Sequence, residues 1–296
     1  MNVFSQGLES LRLLLIGVPG LSSLASAPYL FRPLVMLVAL AIVGAAVGVL
    51  VNLRSAEFHA EALVHAVFPG IVIGAISGGI DAVIPAACAA GAVAAGILTL
   101  ISHRSRRDAS EAGTAVVLTG FFSVGLILLL RTGDRSGQLE ALTFGRLLEV
   151  TDLRLAQALV VCGVALLLVG GTWKEQVYRA FDAVGARTGG QRVLALDLVL
   201  NMAIAAVVVS AATAVGTLLV IGFLTIPGTT ARLLAKDMSA MLGISVGIGL
   251  GGGYLGMLLS AMPLPRPVSP QACVVMVMAA ALLTAVFISV WRRRRG

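Results

Sequence analysis

The chain has 296 residues, 58% of them hydrophobic and 12% charged, with a mean hydropathy of +1.02. A soluble domain carries about 25% charged residues, so this composition excludes an ordinary soluble enzyme. It points instead to repeated apolar runs of about 20 residues, the length that spans a bilayer. The net charge of +7 does not indicate nucleic acid, because the basic residues fall in short clusters between apolar runs, where the loops of membrane proteins carry them.

Residues 1–30 predict an interfacial segment: LRLLLIGVPG is apolar but short, and Pro19 and Gly20 interrupt it. Residues 31–296 predict a transmembrane domain of eight or nine spans. The first two cover about 34–53 and 59–79, and Asp81 and Pro85 mark a tight turn before a third at about 82–101. The loop SHRSRRDASE leads to a fourth span at about 112–130, and a longer polar stretch leads to a fifth at about 153–172. The polar loop TWKEQVYRAFDAVGARTGGQR carries a short helix. Spans at about 193–213, 215–233, 239–260 and 272–291 complete an all-α polytopic helical bundle that ends in Arg292–Arg295. A transmembrane barrel is excluded, since barrels need strands of about 10 residues with alternating polarity. Arg54, the loop with Arg104, Arg106 and Arg107, the loop with Lys174, Arg179 and Arg192, then Arg232 with Lys236, and the arginine tail fall on one side. That side is expected to face the cytoplasm. Cys88, Cys162 and Cys273 lie within apolar runs and form no CxxC pair, as small buried hydrophobes do.

Glu57, Glu61 and His65 are spaced four residues apart in EFHAEALVHAVFPG. On a helix they stack along one face. Ionisable residues at membrane depth are costly and are read as functional by default. A carboxylate with an imidazole is a ligand pair for a divalent transition metal, so Glu61 and His65 are candidate contacts for a passing ion, with Glu57 as a third. The competing structural reading has Glu57 and His59 at the interface while Glu61 and His65 pair with each other. Two ligands make a weak site, which suits conduction better than storage. Pro69 and Gly70 follow at once and can bend the helix beside the site. Asp197 and Asn201 form a second polar pair at i, i+4, which fits an inter-helix hydrogen bond better than a pore lining. Pro227 and Gly228 interrupt a strongly apolar helix, with Thr229 and Thr230 able to satisfy freed backbone groups. Either a simple kink or a discontinuous helix along the translocation path follows from that.

Lys174 and Lys236 are the only lysines and neither follows glycine, so the chain holds no GxxxxGK[ST] phosphate loop. HExxH and GxSxG are also absent. Active transport would then draw its energy from a separate subunit. A secondary metal carrier working alone is the reading from a different class, and a non-transporting membrane scaffold is a third.

Three segments in order, LRSAEFHAEALVHAVFPG (residues 53–70), LEALTFGRLL (139–148) and VGTLLVIGFLTIPGTTARLL (215–234), resemble the membrane permease of zinc/manganese-type ABC importers. The resemblance runs from about Arg32 to the C-terminus. It implies a homodimeric permease in the cell membrane, two cytoplasmic ATPases and an extracytoplasmic metal-binding protein, with transported Zn²⁺ or Mn²⁺ and no permanently bound cofactor. The family's aspartate falls on Glu61 and its histidine on His65, which implies that these two guide the ion. Val64 stands where the family has serine. The ATPase-docking segment reads FDAVGARTGG here, with Phe181, Asp182, Ala186, Arg187 and Gly190 matching and the family's proline and glutamate absent. The external LEALTFG segment, with Glu140, is an expected contact for the binding protein. A permease for a chelated metal, such as a siderophore or haem complex, is the runner-up within the class.

Overall fold

The computed structural model describes residues 3–18, 20–104, 107–131, 148, 150–212, 216–262 and 268–295. Among these the chain is helical, as the apolar runs require: with no water in hydrocarbon, a spanning segment must satisfy its backbone within itself. A short helix α1 (Val3–Ile16) and one turn, α2 (Ser22–Ala25), precede the first span, α3 (Pro28–Leu53). The second span is two helices, α4 (Glu57–Ala66) and α5 (Phe68–Ser77), joined at Val67. A 3₁₀ turn at Gly79–Ala82 leads to α6 (Val83–Arg104), followed by α7 (Arg107–Arg131) and α8 (Asp152–Gly171). Two short helices, α9 (Trp173–Phe181) and α10 (Ala183–Thr188), occupy the predicted polar loop. Then come α11 (Val193–Ala212), α12 (Thr217–Leu234), α13 (Met238–Ser260) and α14 (Pro270–Arg295).

Eight helical segments among the described residues are long and apolar enough to cross a membrane, and the shorter Leu219–Leu234 is apolar as well. The predicted spans match in number and place. Residues 139–147 of the predicted external segment, with Glu140, lie outside the described residues.

The helix α3 is the most enclosed span and packs on α8, α11, α12 and α13. The α4–α5 span packs on α6 and α7, and α4 also touches α11 and α12. Small residues set these distances, because close backbone approach supplies packing energy where lipid offers no hydrophobic drive. A Cβ at Gly48 of α3 would run into the Leu224 carbonyl of α12, and one at Gly228 would lie 2.8 Å from the Gly48 carbonyl oxygen. A Cβ at Gly70 would lie 2.5 Å from the Ala86 carbonyl oxygen of α6.

One expectation is corrected here. The helix α12 is not interrupted at Pro227; it runs unbroken from Thr217 to Leu234 with Pro227 inside it. Proline removes the ladder hydrogen bond to the Phe223 carbonyl; Thr225, Thr229 and Thr230 add hydroxyl bonds to the Ile221, Thr225 and Ile226 carbonyls around it, at 2.7–2.8 Å. Close contact with α3 at Gly228 holds the segment in line.

The two ends of the bundle differ in charge. Contacts join Arg54, Arg179 and Arg232 to their partners at one end. At the other end Arg32 pairs with Asp152 at 2.5 Å, Ser5 of α1 donates to Asp152 at 3.0 Å, and Tyr254 donates to the Gly20 carbonyl at 2.5 Å. The N-terminal helix is thus tied to the end opposite the arginines. It leaves Leu11, Leu13 and Leu14 exposed.

The α3–α12 seam makes a direct prediction. Gly48→Val should destabilise the protein by about 1–3 kcal/mol, the usual cost of overpacking, read as a lower melting temperature in detergent. Gly163→Ala, where an added Cβ meets nothing within 4 Å, should not lower that temperature and should raise it slightly, since alanine is the better helix former.

Candidate functional site

The helix that carries Glu57, Glu61 and His65 begins from a tight reversal. Arg54 ends α3, Ser55 takes a left-handed φ of 50°, and the Ala56 N–H returns to the Val51 carbonyl at 2.9 Å. That turn starts α4 at Glu57. A rise of about 1.5 Å per residue puts Glu61 about 6 Å and His65 about 12 Å further along the helix. The spacing stacks the three on one face, as expected.

Their surroundings differ. Glu57 is half-buried and its carboxylate lies 3.4 Å from Asn52 Nδ2. Glu61 is exposed on the single chain and has no hydrogen-bond or ion-pair partner among the described residues. His65 is half-buried, with its ring edge-on to Phe122 of α7 at 5.4 Å between centroids. No hydrogen bond joins Glu61 and His65, so the structure does not bring them together as a closed structural pair. His59 projects elsewhere, 3.3 Å from Ser102 of α6. Among the described residues no cluster of three or more His, Cys, Asp or Glu side chains forms a metal cage within one chain.

The α4–α5 junction lies just past His65. Pro69 has no N–H to give the His65 carbonyl four residues back, and α4 ends at Ala66. Phe68 packs on Phe122 at 5.3 Å between centroids, so both aromatic contacts of this helix meet one ring. Pro69 and Gly70 are buried, Gly70 against the backbone of α6. Pro227 and Gly228 are buried at the contact with α3. Thr229 is half-buried, and its hydroxyl accepts from Asn52 Nδ2 at 3.0 Å.

A second polar cluster lies at the arginine-rich end. Arg54 and Arg179 both form ion pairs with Asp197. Arg54 also donates to Gln176 Oε1 at 2.6 Å, and Gln176 Nε2 donates to the Leu196 carbonyl at 2.8 Å. Loss of hydration lowers the Arg54 guanidinium to about 10 and the Arg179 guanidinium to about 9, the latter helped by the Arg54 charge. Both stay protonated at neutral pH. Asp197 and Asn201 share a helix face but not a partner, since Asn201 Nδ2 donates to Thr99 Oγ1 of α6 at 2.9 Å. Sequence reading placed these two together and missed that Arg54, Gln176 and Arg179 complete the cluster. The available signal was a fully buried glutamine in an otherwise solvated helix, which periodicity alone does not isolate.

The residues of the 181–190 segment have clear structural reasons. Asp182 caps α10, its Oδ1 accepting from the Gly185 N–H at 2.7 Å. Ala186 is fully buried. Gly190 has φ +79°, the left-handed conformation that glycine adopts without strain after a helix end. Arg187 is exposed, and Phe181 and Val184 leave more than two thirds of their surface exposed at this end of the molecule.

Comparison with known proteins bears on the family and the fold. The manganese import system permease protein ScaB of Streptococcus gordonii is 28% identical over 231 residues, 78% of this chain and 82% of that protein. The chelated iron transport system membrane protein YfeD of Yersinia pestis is 30% identical over 237 residues, 79% of this chain and 77% of that one. Among solved structures, PsaBC from Streptococcus pneumoniae in complex with Fab superposes with a TM-score of 0.78 at 27% identity, covering 91% of this chain and 95% of that chain. Residues 26–289 match the ABC 3 transport family, and the chain belongs to that family as a multi-pass membrane permease.

Proposed function

We propose that the chain imports a bare divalent transition metal, manganese(II) foremost, as the membrane subunit of an ATP-driven importer in the cell membrane. The observation that carries this reading is Glu61: a carboxylate inside a spanning segment, exposed on the single chain, without a partner among the described residues, one turn from His65. A charge so placed is expected to face a protein interior or a wet path rather than lipid. A second copy of the chain laid against this face would cover it. The two copies would then offer two carboxylates and two imidazoles to one ion, a set that suits Mn²⁺, Fe²⁺ and Zn²⁺. Manganese is placed first because ScaB is named for manganese import. Glu57, at the mouth of the same stripe, would meet the ion on its way out.

The helix break at Val67–Pro69 and the close contact at Gly70 would shape the path beside His65, and Pro227, Gly228 and Thr229 would brace its far wall. The arginine-rich end faces the cytoplasm in this reading. There α10, with Phe181, Asp182, Ala186, Arg187 and Gly190, would dock an ABC ATPase, which supplies the energy that a chain without a phosphate loop cannot. The opposite end, with residues 1–30 lying at the membrane interface, would receive the ion from an extracytoplasmic binding protein.

A second reading, iron delivered as a chelate, is favoured by the name of YfeD. A single carboxylate and imidazole per chain speak for a bare ion, since a chelate already carries its own ligands.

Three outcomes follow. In cells carrying the intact importer, Glu61→Gln and His65→Ala should each cut ⁵⁴Mn uptake by about tenfold or more, the loss typical of removing even an outer support of a metal site. The amount of protein in the membrane should not change. Unchanged ⁵⁴Mn uptake with reduced ⁶⁵Zn or ⁵⁵Fe uptake would name a different cargo, and unchanged uptake of all three would remove Glu61 and His65 from the path. Glu61→Cys should cross-link two copies of the chain through a short bismaleimide, and a product that stays monomeric counts against the dimer. Phe181→Asp, which puts a charge on the exposed docking patch, should release the ATPase on co-purification while leaving the permease itself folded.

A further inference from the structure

The cluster around Asp197 is out of balance. Two guanidiniums share one carboxylate, and the three side chains are only 11–13% exposed. Each charge belongs to a different part of the molecule: Arg179 to α9, Asp197 to α11, and Arg54 to the end of α3. Arg179 also reaches the Val193 carbonyl at 3.4 Å. The fully buried Gln176 of α9 bonds Arg54 on one side and α11 on the other. Both charged ties of α9 to the bundle therefore run through Asp197 or Arg54, while the Gln176–Leu196 bond holds α9 without them.

From Arg54 the connection continues into the ligand-bearing helix. Two residues earlier, Asn52 is buried and has three of its side-chain contacts occupied. Its Nδ2 lies 3.4 Å from Glu57 Oε1 of α4 and 3.0 Å from Thr229 Oγ1 of α12, and its Oδ1 accepts from Arg232 at 3.2 Å. On the other side, α9 runs into the cap of α10 through Asp182, whose N–H returns to the Tyr178 carbonyl at 2.9 Å. Hydrogen bonds and ion pairs, bridged by the backbone from Tyr178 to Arg179 and from Asn52 to Arg54, thus link α10 to the start of α4. Contiguous networks of this kind can carry coupling when one element in them has two arrangements.

The charge count says which member matters most. With Asp197 present, each arginine is attracted to the same point. Without its charge, Arg54 and Arg179 face one another as like charges in a partly dehydrated site, and α9, the short helix outside the membrane, is the element free to leave. We propose that Asp197 is a positioning residue for transport, a clamp that holds α9 against the bundle so that displacement of α10 reaches the helix carrying Glu61 and His65. The proposal rests on the reading of the chain as an ATP-driven metal permease.

The test uses the complete importer, with its ATPase and binding protein, in proteoliposomes. Wild type is compared with Asp197→Asn, Asp197→Glu and Arg179→Gln. Three quantities are read: Mn²⁺ moved per ATP hydrolysed, ATPase copies retained on purification, and hydrogen–deuterium exchange across Trp173–Phe181. Asp197→Asn should lower Mn²⁺ per ATP by at least about fivefold, the lower end of ordinary coupling between sites. The ATPase should stay bound and exchange in α9 should rise. Asp197→Glu, which keeps the charge, should recover most of the coupling. Arg179→Gln leaves Arg54 and Asp197 as a balanced pair. It therefore tests the clamp without stranding a charge and covers the case in which Asp197→Asn fails to accumulate; it should uncouple transport as well. An unchanged Mn²⁺ per ATP, or loss of the ATPase in step with transport, would overturn the clamp. Exchange in α9 needs no cargo. If the wild-type complex moves no metal, the proposed function fails, while unaltered exchange in both variants sinks the clamp independently.

Discussion

Hydrocarbon offers the backbone no hydrogen bonds, and most of this structure is an answer to that constraint. Each spanning segment must close its own ladder, which leaves helix–helix packing and a few side-chain polar contacts to decide the arrangement. Where the ladder is weakened, at Pro227, threonine hydroxyls reinforce neighbouring carbonyls and α12 stays whole. At Pro69 the helix instead ends and restarts across Val67. The same residue type gives opposite results because the surroundings differ. The segment around Pro227 is held along its length by α3, whereas the one at Pro69 follows the last turn of a ten-residue helix that starts from its own reversal.

Polar side chains obey the same constraint. Several of those within the spans are satisfied between helices: Asn201 by Thr99, Asn52 by Thr229 and Arg232, Ser210 by the Ala158 carbonyl at 3.3 Å. Against that background Glu61 stands apart as a carboxylate left open on a spanning helix.

Much of this was legible in the sequence. Apolar runs of bilayer length, punctuated by arginines, fixed the number and position of the helices to within a few residues, since length and charge are physical requirements of a span. The four-residue spacing of Glu57, Glu61 and His65 put them on one face, and the helix keeps them there. Tertiary choice was less legible. Asp197 and Asn201 have the same spacing, yet their partners come from different helices, which no local pattern encodes. Gln176 looked like one polar residue among many in a solvated loop and is instead fully buried. Whether a proline breaks or merely bends a helix depends on what lies across from it, and for Pro227 that is a glycine on a helix distant in sequence.

The contact of α3 with α12 has a mechanical consequence. Backbone meets backbone at Gly48, Leu224 and Gly228, and Asn52 fastens the same two helices to each other at one end. Interfaces this close admit neither sliding nor rotation without steric collision, so the pair behaves as a single strut through the membrane. Any alternation between open and closed forms must be taken up by helices with room around them. Gly96 of α6 and Gly120 of α7 have such room, for an added carbon there would meet nothing within 4 Å. The span that carries Glu61 has no such freedom against α6, since an added carbon at Gly70 would lie 2.5 Å from the Ala86 carbonyl oxygen, so the room in α6 and α7 is local to Gly96 and Gly120.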